Sequence, residues 1–404
     1  MHPKKLKITD YTYELPAERI AQQPLAQRDA SKILVYQGGS ITEDIYSCLS
    51  NHLPDNALLV FNQTKVIHAR LLFQKPTGST VEIFCLEPVA PHKEVSAAML
   101  AKNTTLWKCM VGGAAKWKDG QLLSKTIGEN TLTVSMEERY ADTFLIEFRW
   151  DDTLSFADIL QLAGDVPLPP YMRRKATLED EDRYQTIFAK EEGSVAAPTA
   201  ALHFTQQLVA SFQAKNILTE QVTLHVGAGT FLPVKSTTIE GHTMHAEWID
   251  LPLSTIKSIY RNLHRPIVAV GTTSLRTLES LYWLGAKCFN KIPISLDTIS
   301  IKQWEVYESL KETPSAEVAL QSLIQWMETQ QLDRLITQTQ ILIAPGYEFK
   351  IIKGLITNFH QPQSTLLLLV AALIGGDWKV VYQYALDNNF RFLSYGDGCL
   401  LWGQ

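Results

Sequence analysis

Two segments of the sequence combine small residues, hydroxyl groups and a histidine in patterns that could bind a ligand or move a proton. From Gly193 to Ala200, small residues follow one another without a helical or strand period, and His203 comes just after them. Small side chains let a backbone approach a ligand closely, although a tightly packed turn would have the same composition. The segment from Thr357 to His360 precedes an apolar stretch, where His360 could cap a helix or transfer a proton.

A third segment, from Gly271 to Arg276, follows a predicted strand and opens a predicted helix. Its three hydroxyl residues, Thr272, Thr273 and Ser274, are ordinary helix-capping residues. The same geometry would present free N–H groups to a carboxylate or phosphate, and Arg276 would add positive charge. Capping is the simpler interpretation on spacing alone, and anion binding stays open.

Two further patterns are weaker signals. The run Gly227-Ala228-Gly229 lacks the third glycine of a nucleotide-binding fingerprint, and Pro233 follows where a phosphate-binding helix should continue. A tight turn near some ligand is therefore favoured. His242 and His245 have i, i+3 spacing, which suits zinc only with a helix and a third ligand. We therefore favour hydrogen-bonding histidines and predict no metal site.

The composition is that of a soluble globular protein. The 404 residues are 46% hydrophobic and 20% charged, and the length predicts two or three domains. The five cysteines include no CxxC pair, which is typical of free thiols in a reducing compartment. The longest apolar run, from Leu366 to Ile374, is far too short to span a bilayer. We therefore expect a cytoplasmic protein with no membrane contact.

The charge balance restricts how the protein could meet a nucleic acid. A formal net charge of −5 gives no overall attraction for phosphates, so an RNA substrate would have to meet local basic patches. The candidates are Lys65 with Arg70, and the run from Arg173 to Lys175. Such clusters are also common on ordinary solvated surfaces.

The pattern of elements predicts an α/β fold with an inserted β domain. Apolar runs at Ile33–Tyr36 and Leu58–Phe61 predict buried strands, and residues 65–148 alternate in short pieces separated by glycine turns. That alternation predicts a small antiparallel barrel, whereas the later alternation of strands and helices predicts a mainly parallel sheet covered by helices. We expect a discontinuous α/β catalytic domain, residues 1–62 and 151–404, interrupted by a β-barrel domain, residues 63–150. The later predicted strands are Val222–Val226, Ile267–Val270 and Ile341–Ala344, and the predicted helices are Phe204–Lys215, Leu253–Leu263, Ser274–Leu284 and Ala316–Glu328.

Taken in order, these segments resemble the motifs of the S-adenosylmethionine:tRNA ribosyltransferase-isomerases of queuosine biosynthesis. The resemblance spans nearly the whole chain, and His68, Gln361 and Gln363 are departures from the family pattern. The segments that carry it are Leu59–Arg70, Pro167–Tyr171, Tyr184–Thr186, Gly193–Phe204, Thr223–Phe231, Met244–His245, Gly271–Ser280, Pro345–Tyr347, Thr357–His360 and Phe390–Asp397.

The resemblance implies a fold and a reaction. It implies an α/β domain interrupted by a small antiparallel β-barrel. The reaction transfers and isomerises the ribosyl moiety of S-adenosylmethionine onto 7-aminomethyl-7-deazaguanine, in the wobble position of a tRNA anticodon. Adenine and methionine depart, and epoxyqueuosine remains. S-adenosylmethionine is then a consumed co-substrate, with no other cofactor and no metal, and the tRNA is the partner of a protein expected to be monomeric.

The implied reaction sets demands on the site. A base must remove a ribose C5′ proton beside the sulfonium, an acid must assist the departure of adenine, and the attacking amine must lose a proton. Histidine suits these tasks near neutral pH. The residue types leave the base and the acid unassigned among the candidates. The catalytic candidates are His203, His225, His245 and His360, with the carboxylates of Glu247 and Asp397.

The binding candidates also come from the family motifs. The turns Ala197-Pro198-Thr199 and Gly227, Gly229 and Thr230 are expected to shape the donor pocket, and Thr272, Thr273, Ser274 and Arg276 to hold the methionine carboxylate. Lys65, Arg70 and Arg173 are expected to contact tRNA phosphates, and Tyr171 or Phe231 to stack an unstacked base. The remaining candidates are Asn62, Tyr184, Gln185, Asn358 and Tyr395. The alternatives left open are a divergent S-adenosylmethionine-dependent RNA methyltransferase and a non-catalytic tRNA-binding protein.

Overall fold

The computed structural model describes residues 2–151, 153–227, 236, 238–295, 298–308 and 310–403. The strands are β1 (Lys32–Gln37), β2 (Ser40–Ile45), β3 (Leu58–Asn62), β4 (Thr64–Val66), β5 (Arg70–Gln74), β6 (Thr80–Pro88), β7 (Thr104–Gly112), β8 (Leu123–Ile127), β9 (Asn130–Arg139), β10 (Phe144–Arg149), β11 (Gly164–Asp165), β12 (Glu191–Ser194), β13 (Leu218–Val222), β14 (Leu224–His225), β15 (Glu247–Pro252), β16 (Ile267–Val270), β17 (Ser300–Ile301), β18 (Arg334–Thr339), β19 (Gly354–Asn358) and β20 (Gly398–Trp402). The α-helices are α1 (Val95–Met99), α2 (Phe156–Ala163), α3 (Leu178–Arg183), α4 (Gln206–Ser211), α5 (Leu253–Arg261), α6 (Thr272–Phe289), α7 (Ala316–Thr329), α8 (Thr365–Ile374) and α9 (Trp378–Asp387).

The main sheet has seven strands in the order β13-β3-β16-β19-β20-β1-β2. Four of its neighbouring pairs are parallel, whereas β19–β20 and β1–β2 are antiparallel, so the sheet is mixed and not uniformly parallel. Every residue of β3 and β16 is buried, because helices cover both faces of the sheet at its centre. The predicted strands at Ile33–Tyr36, Leu58–Phe61 and Ile267–Val270 are confirmed.

A second seven-stranded sheet, in the order β11-β5-β6-β7-β10-β9-β8, is antiparallel throughout. Its strands alternate buried and outward-facing residues, and in β10 the buried set is Phe144, Ile146 and Phe148. The sheet curls over α2, whose Phe156 is fully buried against it, but its edge strands do not pair, so it forms a half-barrel. Both α2 and β11 follow residue 150, and the domain boundaries at 62/63 and 150/151 stay a prediction.

The structure differs from the predicted strands in two short segments, where an apolar run is compatible with a strand or a loop. Ile341–Ala344 is a buried non-strand segment, and the strand of this region is β18, which alternates buried and half-buried residues in a four-stranded sheet, β14-β15-β18-β17. A short, wholly apolar run is buried in either conformation, so its composition does not decide between them. The predicted strand Val222–Val226 is divided at Thr223, where β13 leaves the main sheet and β14 joins the four-stranded one.

The helix α6 runs through the centre of the molecule and carries a buried carboxylate. Glu279 has no exposed surface, and its two oxygens accept backbone N–H bonds from Lys350 (2.9 Å), Ile351 (3.0 Å) and Ile352 (3.2 Å), and a hydroxyl bond from Tyr347 (2.8 Å). Burial raises the pKa of Glu279, and the four donors oppose that effect. The carboxylate therefore fastens the loop before β19 to α6.

The stretch from Thr365 to Asp387 is the one part of the described chain that is long and apolar enough to cross a bilayer. It is longer than the apolar run Leu366–Ile374 because α8 continues through a 3-10 turn into α9. Of its most apolar window, 56% is buried inside the protein, as in the core helix of a soluble protein, so its length is weak evidence for a membrane span.

We predict that Gly285→Ala destabilises the protein. A Cβ on Gly285 would lie 2.5 Å from the backbone carbonyl carbon of Ala319, because α6 and α7 pack closely at this point. Overpacking of this kind should lower the free energy of unfolding by about 2–3 kcal/mol, measured by chemical denaturation. Gly376→Ala is the matched control, since its Cβ would meet nothing within 4 Å. Equal stability of the two variants would contradict this prediction.

Candidate active site

A cleft of about 930 Å³, including the open space at its mouth, lies at the carboxyl ends of β16 and β19. Ligands of α/β proteins commonly bind at this edge, because the loops that follow parallel strands converge there. The residues lining the cleft are Tyr171, Tyr184, Ala196, Ala197, Pro198, Thr199, Ala200, Val226, Gly271, Thr272, Thr273, Thr357, Asn358, Phe359, His360, Gln361, Ser364, Thr365, Leu366, Leu393 and Ser394.

The turn from β16 into α6 brings a helix N-terminus to this cleft. Gly271 has φ of 88°, a left-handed conformation that glycine adopts without strain. The first turn of α6 has no side-chain cap, so the capping interpretation of its hydroxyls is wrong. Thr272 and Thr273 line the cleft, whereas Ser274 is fully buried behind it. The uncapped N–H groups of an 18-residue helix carry partial positive charge, which favours an anionic or electron-rich ligand.

Asn358 links the cleft to His203. Its amide nitrogen lies 3.1 Å from His203 Nε2, and its Oδ1 accepts a hydrogen bond from Thr199 Oγ1 at 3.1 Å. His203 is buried outside the cleft and stacks on Tyr46 with 4.3 Å between ring centroids. Burial, with help from the positive charge of Arg391, lowers the pKa of His203 to about 3. His203 is therefore neutral at pH 7, and a hydrogen bond to Asn358 connects it to the cleft.

His360 is the predicted catalytic histidine that lines the cleft itself. Its Nε2 lies 3.0 Å from Thr357 Oγ1, its backbone N–H donates to the Tyr382 hydroxyl at 3.0 Å, and its carbonyl accepts from the Tyr13 hydroxyl. Burial lowers the pKa of His360 to about 3, so the imidazole is neutral at pH 7. A neutral imidazole, held at one ring nitrogen by Thr357, can accept a proton from a ligand.

The structure does not bring the other two predicted histidines into the cleft. His225 is buried, its Nδ1 lies 3.0 Å from Thr64 Oγ1, and its Nε2 has no hydrogen-bond partner within the described ranges. Burial lowers the pKa of His225 to about 4. His245 is exposed and lines a second pocket beside the cleft, of about 600 Å³ including the open space at its mouth. The residues lining the second pocket are Gly227, His242, Met244, His245, Glu247, Arg276, Ile341, Leu342, Ile343, Thr365, Leu366 and Leu369.

The two predicted carboxylates also lie outside the cleft. Glu247 forms a buried ion pair with Arg276 in the second pocket. Asp397 accepts backbone N–H bonds from Lys32 (3.0 Å) and Arg391 (2.8 Å), and its Oδ1 pairs with the Arg391 guanidinium at 3.1 Å. Asp397 therefore holds backbone segments together. Among the described residues, no group of three or more His, Cys, Asp or Glu side chains is placed to hold a metal ion.

Tyr171 and Tyr184 both line the cleft, as their motifs predict for substrate-binding residues. The Tyr171 hydroxyl is hydrogen bonded to Ser394, and burial raises the pKa of Tyr171 to about 12. Tyr395 lies outside the cleft, where its hydroxyl donates to Asp180 Oδ1 at 2.8 Å. Tyr184 is fully buried, so the half-buried ring of Tyr171 is the one of these two that offers aromatic surface to a ligand.

Asn62 and Gln185 have positioning roles. Asn62 Oδ1 accepts the backbone N–H groups of Thr64 (3.1 Å) and Leu224 (3.2 Å), and its amide donates to the Leu224 carbonyl at 2.9 Å. The Gln185 side chain pairs with both backbone groups of Val66, at 3.0 and 2.8 Å. Neither side chain lines the cleft, so both fix the chain segments around it.

The predicted phosphate contacts lie at the surface. Lys65 pairs with Glu192 at 2.8 Å and Arg70 with Glu82 at 3.1 Å, all half-exposed, whereas Arg173 is exposed. Three predicted binding residues, Gly229, Thr230 and Phe231, lie outside the described residues.

Several cleft residues were missed by sequence reasoning. Gln361 follows His360 directly and Ser364 lies four residues after it, so their closeness along the chain could have suggested them. Leu393 and Ser394 come from the C-terminal segment, and only their membership of the Phe390–Asp397 motif could have indicated them. Leu366 begins an apolar helix, and nothing in its sequence context distinguishes it from core residues.

The fold and the site define an α/β protein with an attached antiparallel half-barrel and a ligand-sized cleft at the carboxyl edge of its main sheet. A family model described as queuosine biosynthesis protein matches residues 8–401, and the chain belongs to that family. Relatives named S-adenosylmethionine:tRNA ribosyltransferase-isomerase from Magnetococcus marinus and Thermotoga maritima are 36% and 35% identical over 401 and 402 residues. The alignments cover 98% of this chain and 94% and 100% of those proteins. A crystal structure of S-adenosylmethionine tRNA ribosyltransferase from Thermotoga maritima is 26% identical, with a TM-score of 0.46, covering 97% of this chain and 99% of that one.

The buried neutral histidines predict how stability depends on pH. Burial lowers the pKa of His203 to about 3 and the pKa of His225 to about 4. Between these values and about pH 6.5, each imidazole therefore binds fewer protons in the folded protein than in the unfolded chain. The free energy of unfolding should therefore fall as the pH falls through this window, by up to about 1.4 kcal/mol per pH unit for each histidine.

His203→Asn should reduce this acid sensitivity, even though the variant is less stable at pH 7. Urea unfolding at pH 6.5 and pH 5 would measure the slope in wild type and variant. His264→Asn, at an exposed histidine, is the control and should keep the wild-type slope. A wild-type slope in His203→Asn would show that the buried imidazole does not titrate as described.

Proposed function

We propose that the protein is an S-adenosylmethionine:tRNA ribosyltransferase-isomerase whose donor binds in the cleft at the carboxyl edge of the main sheet. The observation that carries this proposal is the meeting of separate family segments around one cavity. Residues from Pro167–Tyr171, Gly193–Phe204, Gly271–Ser280, Thr357–His360 and Phe390–Asp397 all line the cleft. On this proposal the protein transfers and isomerises the ribosyl moiety of S-adenosylmethionine onto 7-aminomethyl-7-deazaguanine in the tRNA wobble position, with release of adenine and methionine.

The cleft has the surfaces that a nucleoside donor and a modified base require. Thr272 and Thr273 offer hydroxyls at the α6 N-terminus, and the small residues Ala197, Pro198 and Thr199 let the donor lie close to the backbone. Tyr171, which is half-buried in the cleft wall, provides a ring against which a base from the anticodon loop can stack. Recognition of an unstacked base fits an open cleft better than a closed cavity.

We assign the removal of the ribose C5′ proton to His360. Its neutral imidazole lines the cleft, and the adjacent sulfonium makes that proton more acidic. His203 orients the Asn358 amide and is a positioning residue. His203 is neutral at pH 7 and lies outside the cleft, so it does not supply the proton that assists the departure of adenine. The imidazolium that His360 becomes on taking the C5′ proton can pass that proton to the departing adenine, which returns His360 to its neutral form.

The tRNA is expected to reach the cleft across the surface that carries Lys65, Arg70 and Arg173. The exposed guanidinium of Arg173 can meet a phosphate directly, whereas Lys65 and Arg70 would have to exchange their carboxylate partners for one. Such contacts weaken with added salt. We propose a monomer acting on tRNA in the cytoplasm, with S-adenosylmethionine as a consumed co-substrate and no metal.

The first test is product analysis. With S-adenosylmethionine and tRNA carrying 7-aminomethyl-7-deazaguanine, the protein should release adenine and methionine, both measurable by liquid chromatography. No adenine should appear with tRNA that lacks the aminomethyl base, because no amine is then present to accept the ribosyl group. Formation of S-adenosylhomocysteine would contradict the proposal and indicate methyl transfer. Binding of tRNA without either product would indicate a non-catalytic binding protein.

The second test concerns the proposed base. His360→Gln should lower kcat for adenine release by about 10²–10⁴-fold, because general base catalysis typically contributes that much. His264→Gln, at an exposed position, is the control and should keep wild-type kcat. A His360→Gln enzyme with wild-type kcat would remove His360 from the mechanism and leave the proposed reaction intact.

A further inference from the structure

The second pocket adjoins the cleft and differs from it in chemistry. The two cavities share Thr365 and Leu366 at the start of α8, so a molecule in the cleft can extend into the second pocket. The walls there are mainly apolar, from Leu342, Ile343 and Leu369. Its titratable side chains, among the residues that the structure describes, are the buried ion pair of Glu247 and Arg276 and the imidazoles of His242 and His245.

The guanidinium of Arg276 is only partly satisfied. Arg276 is 5% exposed and Glu247 4%. Arg276 Nη1 donates to the Glu247 carboxylate, and Nε donates to the Ile341 carbonyl at 3.2 Å. Nη2 is buried without a hydrogen-bond partner among the residues that the structure describes. A buried charged donor without a partner is costly, so its presence indicates an absent acceptor.

Another buried ionisable group on α6, Glu279, shows that the fold can satisfy such a group completely. Glu279 is fully buried, and it accepts four hydrogen bonds from one loop. Glu279 has a structural role and lines neither the cleft nor the second pocket. Arg276 differs in both respects, because it lines a pocket and keeps one donor unpaired. That difference favours a ligand-binding role for Arg276.

We propose that the second pocket holds the α-amino acid end of the sulfonium donor, an inference that rests on the proposed function. Arg276 Nη2 donates to the carboxylate, Glu247 faces the ammonium group, and the apolar walls contact the methylene chain. A neighbouring acid and base match the two opposite charges of an amino acid. The shared residues Thr365 and Leu366 then lie near the sulfonium, between the nucleoside in the cleft and the amino acid end.

In this arrangement the carboxylate of the donor contributes to its binding, so a donor without that carboxylate should bind more weakly. The experiment compares S-adenosylmethionine with decarboxylated S-adenosylmethionine, which keeps the sulfonium and the nucleoside but lacks the carboxylate. Calorimetric binding to the full-length wild-type protein should favour S-adenosylmethionine by about 10–100-fold, the effect of one hydrogen-bonded charge. Arg276→Gln should weaken binding of S-adenosylmethionine to the level of the decarboxylated compound and leave binding of that compound nearly unchanged.

Two matched variants complete the design. Arg276→Lys keeps the positive charge and should restore part of the preference. Arg334→Gln removes an arginine that is paired with Asp250 outside both cavities, and it should leave the preference unchanged. Thermal melting of each variant reports whether it is folded.

Equal binding of the two compounds by wild type would overturn the proposal, whatever the variants do. A preference that survives Arg276→Gln in folded protein would overturn it as well. Free L-methionine is the other source of the same chemistry. If methionine binding requires Arg276 while the preference between the two sulfonium compounds does not, the pocket is a free amino acid site and the proposal is wrong. These measurements need no turnover, so their outcome is independent of whether adenine is released.

Discussion

The buried amide of Asn62 is the interaction on which the arrangement of the site depends. It stands at the end of β3, at the centre of the main sheet, and has no exposed surface. Its oxygen accepts from the first residue of β4 and from the first residue of β14, and its nitrogen donates to the β14 backbone and to Thr273 Oγ1 at 3.2 Å. One side chain thus joins the main sheet, the four-stranded sheet and the start of α6. An amide supplies donors and acceptors together without charge, which suits a fully buried junction.

Burial also sets the charge state of the histidines in and around the site. Desolvation favours the neutral imidazole, so His203, His225 and His360 are held as uncharged groups at physiological pH. Only His360 meets the cleft, and His203 meets it through Asn358. The charged groups of the site are kept apart from these histidines, in the Glu247–Arg276 pair. On the proposed function, a positively charged sulfonium donor would meet neutral histidines in the cleft and the Glu247–Arg276 ion pair in the second pocket.

Local patterns in the sequence were sufficient for some elements. Ile267–Val270 is a strand with the predicted bounds, and α7 differs from its prediction by one residue. The strand predicted at Ile341–Ala344 is wrong, since a wholly apolar run is buried as strand or loop alike. Of the residues predicted from the family motifs, His360, Asn358 and Thr199 line the cleft, but chain order could not show that His225 and Asp397 lie outside it. Those distances are set by packing between segments that are far apart in sequence. Glu279 gave no signal, because a single acid in a helical pattern looks like a surface residue.

The half-barrel has a further consequence for how the chain can be divided. Although its strands β5 to β10 are consecutive, β11 pairs with β5 and α2 covers its inner face. Removal of residues 63–150 as a cassette would leave the apolar side of α2, including Phe156 and Ile159, without a partner. The remaining chain would expose an apolar patch, which promotes aggregation. The half-barrel is therefore integral to the α/β part of the chain, and a transplant of it into another protein would have to include the segment through Asp165.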